Sequence, residues 1–284
     1  MTSPSRSDRM APPPGGVTLV KLGGSLITDK RRPGAARLEV IERLAGEVAR
    51  AAPRLSGRLV VGHGAGSFGH APAARWQLAG GLVGRGGPAS AQLAGVTATQ
   101  DEVAKLHRMV IAALRAEGAP AFSLAPSSFL VTVGGRPVAM QLEPLLGALA
   151  AGLLPVIYGD VTVDRRQGVA IASTETVFRA LAGALLRRGR AAERALWLGE
   201  TAGILDAAGL LIPLVTPGRA RAARRAVGAA AGTDVTGGMR HRLDAALALA
   251  RRGVPSLIAD GRVPGLLERA LAGEAVPGTV VSAG

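Results

Sequence analysis

The chain has no cysteine. A disulfide framework and a thiolate metal site are therefore excluded, and the cytoplasm is the expected location. Aromatic residues are nearly absent: four phenylalanines, two tryptophans and one tyrosine among 284 residues. The core must then be built from Ala, Val, Leu and Ile, and it can be, because 48% of the residues are apolar. The same scarcity speaks against a nucleic-acid partner, whose bases would need stacking platforms. No uninterrupted apolar run approaches the ~20 residues of a membrane span. The opening "MTSPSRSDRMAPPPGG" lacks the apolar centre of a secretory signal and reads as a disordered extension over residues 1–16.

Lysine is scarce in a more informative way. The net charge is +14, yet it is carried by 31 arginines and only three lysines, Lys21, Lys30 and Lys105. The arginines are scattered. Their densest stretch, "GRARAARRAVG" at 218–228, reads as a mobile loop or a solvated helix face. High charge alone accounts only for non-specific attraction to nucleic acid. Two of the three lysines flank "LGGS" within ten residues. An ammonium is a compact point charge on a flexible stem, where guanidinium is a bulky planar fork. Its retention at 21 and 30 in an arginine-rich chain points to a functional need, against the alternative of chance surface placement.

Strand-like and helix-like stretches alternate along the chain. Residues 17–22, 58–62, 119–125, 153–159, 195–200, 254–260 and 278–282 read as strands. Helical spacing covers 38–52, 90–118 and 173–189, part of 136–152, and then 237–253 and 263–273. This α/β alternation implies a mostly parallel sheet covered on both faces. No internal repeat is evident. A charged turn, "DRRQ" at 164–167, marks the weakest point and separates 17–165 from 166–284.

Ligands of such sheets bind beyond the carboxyl ends of the strands. Three glycine-bearing loops sit at such ends, "KLGGS" (21–25), "GHGAGSFGH" (62–70) and "YGD" (158–160), and a fourth, "TDVTGGM" (233–239), opens a helix. Glycine lets backbone N–H groups approach an anion, and a helix N-terminus adds favourable partial charge. Several such loops at one end of a sheet indicate a polyanion between them. The Walker A pattern is absent, and no GxGxxG follows the first strand as a dinucleotide fold requires. Gly64, Gly66 and Gly69 do have that spacing, but after a second strand, so they read as phosphate-binding only.

Among the histidines, His107 and His241 lie in helical stretches with polar neighbours and read as surface or helix-packing residues. His63 reads as shaping its loop. His70 follows the Gly-Ser-Phe-Gly anion loop and is the candidate to touch a ligand, with a structural role as the alternative. No His/Asp/Glu spacing describes a metal site built by the protein, and no G-x-S-x-G elbow is present. Asp160, Asp164, Glu175 and Asp234 stand near the loops, where they could orient lysines, hold Mg²⁺ indirectly or serve as caps.

Together "VKLGGSLITDK" (20–30), "GHGAGSFGH" (62–70), "YGDVTVD" (158–164) and "DVTGGMRHRLDAALALARRGV" (234–254) resemble the amino acid kinase superfamily and, within it, the isopentenyl phosphate kinase branch. The resemblance spans nearly all of 17–282. It implies a three-layer αβα sandwich around a mostly parallel open sheet, an acceptor lobe over 17–165, an ATP lobe over 166–284 and a homodimer. The histidine ending "SFGH" marks the branch that phosphorylates phosphate or phosphonate groups. Carried over, Lys21, Lys30 and His70 are catalytic. Gly23, Gly24, Gly66, Glu175, Gly238 and Arg242 contact ATP, and Ala65, His70 and Gly159 hold the acceptor phosphate. The implied partners are ATP with Mg²⁺ and a small phosphate, with neither nucleic acid nor membrane.

Three departures bear on acceptor identity and rate more than on fold. Ala65 stands where the family has glycine, placing a methyl beside one backbone approach. Ser173-Thr174-Glu175 replaces Ser-Gly-Asp, and Arg242 replaces a lysine. A fosfomycin-type kinase and a non-catalytic nucleotide-binding member of the fold remain the alternatives. On this reading His70→Ala removes far more steady-state turnover than His107→Ala, and small, equal effects would refute it.

Overall fold

The computed structural model describes residues 15–82, 89–229 and 238–283. The extension expected over 1–16 lies outside them except for Gly15 and Gly16. Strand β1 (Val17–Leu22) is followed by a single turn, α1 (Gly24–Ile27), and by α2 (Leu38–Ala51). Then come β2 (Leu59–His63), α3 (Gly66–Arg75), α4 (Ala89–Ala116), β3 (Ala121–Ser123), β4 (Leu130–Val133), β5 (Arg136–Met140) and α5 (Glu143–Ala150). Next are β6 (Leu154–Tyr158), β7 (Asp160–Asp164), β8 (Gly168–Ala172), α6 (Thr174–Arg187) and β9 (Ala192–Gly199). The chain continues through β10 (Leu214–Val215), α7 (Ala220–Ala229), α8 (Gly238–Ala250), β11 (Ser256–Asp260), α9 (Leu266–Ala272) and β12 (Thr279–Val281).

Eight strands form one sheet in the order β10-β12-β11-β9-β1-β2-β6-β3. The six from β11 to β3 are parallel, and β12 runs antiparallel to β11. Strand β1 lies at the centre with every residue buried, which is why it reads as a continuous apolar run rather than an alternating one. Its side chains still alternate between two cores. Leu19, Val60, Ile157, Trp197 and Ile258 pack under α5, α6, α7 and α8. Val20, Val61, Val156, Leu198 and Ala259 pack under α2, α4 and α9. Helices cover both faces, so the expected αβα sandwich is the observed fold.

With so few aromatics, aliphatic side chains do much of the filling. Ala245, Ala246 and Ala250 are buried on α8 alongside Leu243, Leu247 and Leu249. The chief aromatic contact, Phe178 against Trp197 with ring centres 5.7 Å apart, lies near the centre of the sheet.

A second sheet, β5-β4-β7-β8, is the main feature that hydrophobic periodicity missed. Gly134 and Gly135, at φ +56° and +75°, make the tight β4–β5 turn. The helix within 136–152 accordingly begins only at Glu143. The "DRRQ" stretch is the β7–β8 hairpin turn, closed by Asp164. Its carboxylate accepts from Gly134 N (3.0 Å), Gly135 N (2.8 Å), Thr132 Oγ1 (2.8 Å), Arg166 N (2.9 Å) and Gln167 N (3.0 Å). Asp164 is therefore a cap and does not reach toward a lysine. The basic stretch 218–228 is largely helix α7, with Ala223 buried and Arg224 paired to Asp244 at 2.7 Å.

Burial works against the Asp164 carboxylate, but its hydrogen-bond donors outweigh that and hold its pKa well below the usual carboxylate range. Its stabilising effect is complete above about pH 4, the ordinary carboxylate value, and is lost as pH falls below it toward the folded-state value. Asp164→Ala is expected to destabilise the protein by about 2–3 kcal/mol at neutral pH. The urea midpoint would fall, and the difference from wild type would shrink below pH 4.

Candidate active site

Four turns leave the carboxyl ends of adjacent strands β9, β1, β2 and β6, each passing hydrogen bonds to its neighbour. Gly23 N donates to Leu198 O (2.9 Å), Gly64 N to Leu22 O (2.9 Å) and Gly159 N to His63 O (3.1 Å). The β1 and β2 turns are in backbone contact. A Cβ on Gly24 would stand 2.5 Å from Gly66 N, and one on Gly64 would stand 2.7 Å from Gly24 N. Gly66, at φ +51°, would place a Cβ 2.2 Å from Thr28 Oγ1. Glycine is required at all three positions.

Thr28 fastens this contact. Its buried hydroxyl donates to Gly24 O (2.7 Å) and accepts from Ser67 N (3.0 Å), joining the β1 turn to the first turn of α3. The bond to a carbonyl four residues back is a known habit of threonine at a helical turn, and that local signal is present in "GSLIT". The bond to Ser67 spans 39 residues and has no local signature.

Lys21 lies near the end of β1, buried, in register with Gly62 on one side and Trp197 on the other. Gly62 allows α6 to come close: a Cβ there would be 2.7 Å from Thr174 Cγ2 and 2.8 Å from Phe178. Thr174 Oγ1 donates to His63 O at 2.6 Å, and Ser173 caps the helix by accepting from Thr176 N at 3.2 Å. This docking brings Glu175, buried in the first turn of α6, into an ion pair with Lys21. Burial lowers the Lys21 pKa, Glu175 opposes the shift, and Arg242 adds to it. Burial also works against the Glu175 carboxylate, but Lys21 outweighs it and keeps the group ionised.

Arg242 projects from α8 across the β9 turn. A Cβ on Gly199 would meet its Nη1 at 2.4 Å, and one on Gly23 would meet its Nη2 at 3.4 Å. The guanidinium thus lies beside the same glycine turn that follows Lys21. Gly238 is the first residue of this helix, whereas Asp234 and most of the 233–239 loop lie outside the described residues.

His70 stands in α3, not in a loop, because the helix begins at Gly66. Burial lowers the pKa of its imidazole, Lys21 and Lys30 lower it further, and Glu175 opposes them. Both scarce lysines therefore act on one imidazole, although Lys30 is exposed and Lys21 buried. The Ala65 methyl is absorbed within α3 itself: a Cβ on Gly69 would be 2.4 Å from it, so Gly69 makes room for the side chain at 65. Gly159 is buried, and a Cβ there would make ordinary contact with Ala65 N, Thr174 N and Ala172 O, each 3.7 Å away.

Other readings of single residues change. His107 is buried on α4 and bonded to His63 and Ser123, so it faces the core rather than solvent. Asp160 turns back onto its own strand, accepting from Val161 N at 2.8 Å and Ser127 N at 3.3 Å. Among the described residues no group of three or more His, Cys, Asp or Glu could hold a metal ion.

A sequence profile of the amino acid kinase family matches residues 16–260. The chain belongs to the amino acid kinase family. Within that family it is 34% identical over 94% of its length to the isopentenyl phosphate kinase of Methanothermobacter thermautotrophicus, covering 99% of that protein. It is also 34% identical to the isopentenyl phosphate kinase of Haloferax volcanii, over 93% of this chain and 98% of that one. A crystal structure of isopentenyl phosphate kinase superposes with a TM-score of 0.76 at 32% identity, covering 93% of this chain and 99% of that one.

For this amino acid kinase the glycine contact makes a direct prediction. Thr28→Val removes both hydroxyl bonds and should lower kcat about 10- to 100-fold, the scale of an ångström's misplacement. Thr28→Ser keeps both bonds and should stay within about threefold of wild type, as steady-state kinetics would show.

Proposed function

We propose that the protein is a kinase that transfers the γ-phosphoryl group of ATP to isopentenyl phosphate, giving isopentenyl diphosphate and ADP. The observation that carries this reading is the buried Lys21–Glu175 pair, bordered by Arg242, beside two interlocked glycine turns. It occurs in a chain alignable almost end to end with isopentenyl phosphate kinases. A second, phosphate-bearing anion beside the nucleotide would explain why cations and an imidazole converge on backbone-lined turns.

The chemistry asks little covalent help from the protein. An oxygen of the acceptor phosphate attacks the γ-phosphorus as the bond from that phosphorus to the β-phosphate oxygen breaks, and ADP leaves with the released electron pair. A phosphate monoester is already anionic at neutral pH, its second pKa being about 6, so no general base is needed. Glu175, a carboxylate paired into the site, holds Lys21. Catalysis then rests on positioning and charge neutralisation. In this reading Lys21 and Lys30 offset charge on the transferring group. Arg242 and the Gly23–Gly24 turn hold the nucleotide phosphates, helped by Gly66 and Gly238. His70, the Ala65 N–H and the Gly159 backbone receive the acceptor phosphate. Magnesium bound with the nucleotide would add positive charge at the phosphates beside Lys21 and Arg242.

Apart from the Gly23–Gly24 turn and Gly66, the strands and turns of 17–165 would then serve the acceptor and those of 166–284 the nucleotide, in a cytoplasmic homodimer. No helix among the described residues is long and apolar enough to cross a membrane.

A coupled ADP-release assay with isopentenyl phosphate, with fosfomycin and without acceptor tests the reading. Isopentenyl phosphate should give a kcat/KM in the ~10⁴–10⁸ M⁻¹s⁻¹ range of working enzymes, far above the other two. Preference for fosfomycin, or ATP binding without turnover, would overturn it.

A further inference from the structure

A chain of hydrogen bonds runs beneath the acceptor turn and ends at the protein surface. His63, fully buried at the end of β2, places Nδ1 3.1 Å from the carbonyl oxygen of Gly64. Its Nε2 lies 3.0 Å from Nδ1 of His107 on α4. The Nε2 of His107 lies 2.8 Å from the hydroxyl of Ser123, an exposed residue on the edge strand β3. The Tyr158 ring packs against both imidazoles, with centres 4.3 Å from His107 and 5.7 Å from His63.

With both rings neutral, one arrangement of protons satisfies every bond. A carbonyl only accepts, so His63 Nδ1 carries a proton and donates to Gly64 O. His63 Nε2 then accepts from His107 Nδ1–H, and His107 Nε2 accepts from the Ser123 hydroxyl. A second proton on His63 would set two N–H groups against each other. Burial keeps that from happening: it brings the His63 pKa down to about 4, the Gly64 carbonyl opposing and Lys21 adding to the shift. It brings His107 down to about 3, with His63 and Arg108 adding. Asp160 and Arg108 act on the neighbouring Tyr158.

We propose that His63 and His107 are positioning residues that lock the Gly64–Ala65 peptide plane so that the Ala65 N–H faces the acceptor anion. In a trans peptide the carbonyl and the following N–H point to opposite sides, and no cis bond is present among the described residues. Holding the Gly64 carbonyl inward against His63 turns the Ala65 N–H to the other side, toward Gly159, where Ala65 N, Thr174 N and Ala172 O each lie 3.7 Å from where a Cβ would stand. Glycine at 64 leaves this plane free to rotate in the absence of a partner. A flipped plane would face a carbonyl oxygen toward the anion and repel it. The imidazole pair supplies the partner, and Ser123 fixes the tautomer of the outer ring.

This inference rests on the reading of the turn as an acceptor-phosphate site, and the test separates the two. Nitrogen-15 spectra of the ligand-free protein at pH 7 should show Nδ1–H tautomers for both His63 and His107. Titration with inorganic phosphate should move the Ala65 amide resonance in wild type and in His107→Asn, whose amide keeps a donor at the δ position, but not in His107→Leu. With isopentenyl phosphate, His107→Leu should raise the acceptor KM at least tenfold and leave the ATP KM within twofold. His107→Asn should stay within threefold on both. An Nε2–H tautomer on either ring would overturn the inference. So would an unchanged Ala65 response in a folded His107→Leu, or an equal rise in both KM values. Wild-type protein inactive on isopentenyl phosphate, but with the expected tautomers and phosphate response, would overturn the substrate reading and support the lock.

Discussion

The backbone contact between the turns after β1 and β2 is the constraint on which the rest of the site depends. Gly24, Gly64 and Gly66 approach so closely that no side chain fits on any of them, and the Thr28 hydroxyl bonds to both sides of the contact. Two flexible glycine loops thereby become a single rigid piece. On the proposed reading, one turn holds the nucleotide phosphates and the other the acceptor. The distance between donor and acceptor is then a property of the fold rather than of side-chain rotamers. Phosphoryl transfer is sensitive to that distance because its catalysis is mainly positioning.

Charge is organised around this piece with equal economy. Lys21 is buried, which would be unfavourable for a lone ammonium. Glu175 compensates it, and reaches it only because Gly62 lets the start of α6 dock on the strand ends. Arg242 lies against Gly199 and Gly23, so the Lys21–Glu175 pair remains bordered by a further cation. A buried ion pair of this kind adds little to stability once desolvation is counted. Its effect is to hold an ammonium in place before any anion arrives. His70 stands exposed at the end of this piece, its pKa lowered by partial desolvation and by the same lysines.

The scaffold beneath is built mostly from leucine, alanine and valine. Helix α8 packs on the sheet through alanines and leucines, and the aromatic bulk that is present, Trp197 and Phe178, sits under the Lys21–Gly62 register. A rigid floor made of the largest side chains supports turns made of the smallest ones. The His63–His107–Tyr158 stack supports the acceptor turn in a similar way, with polar rings whose protons are assigned by their partners.

Much of this was legible in the sequence. Periodicity located the strands of the large sheet except the two-residue β10, together with the helices α2, α4, α6, α8 and α9. These elements advertise themselves through local repetition of apolar residues. The two lysines beside "LGGS" stood out because arginine is used almost everywhere else, and the glycine turns because each follows a strand. The small sheet did not stand out, since its strands are short and half-exposed and their polar positions face a hairpin cap. Nor did helix α3, whose glycines and Pro72 argue locally for a loop.

Sequence by itself determined the order of elements, the parallel sheet and the end of that sheet where anions would bind. Only tertiary structure decided which groups meet there. Glu175 finds Lys21 across 154 residues, Thr28 finds Ser67 across 39, and His63 finds His107 across 44. It also decided that Gly69 would make room for Ala65. Local patterns record the preferences of a residue and its near neighbours along the chain. A partner brought in by packing leaves no periodic trace, because its position is set by the meeting of whole strands and helices.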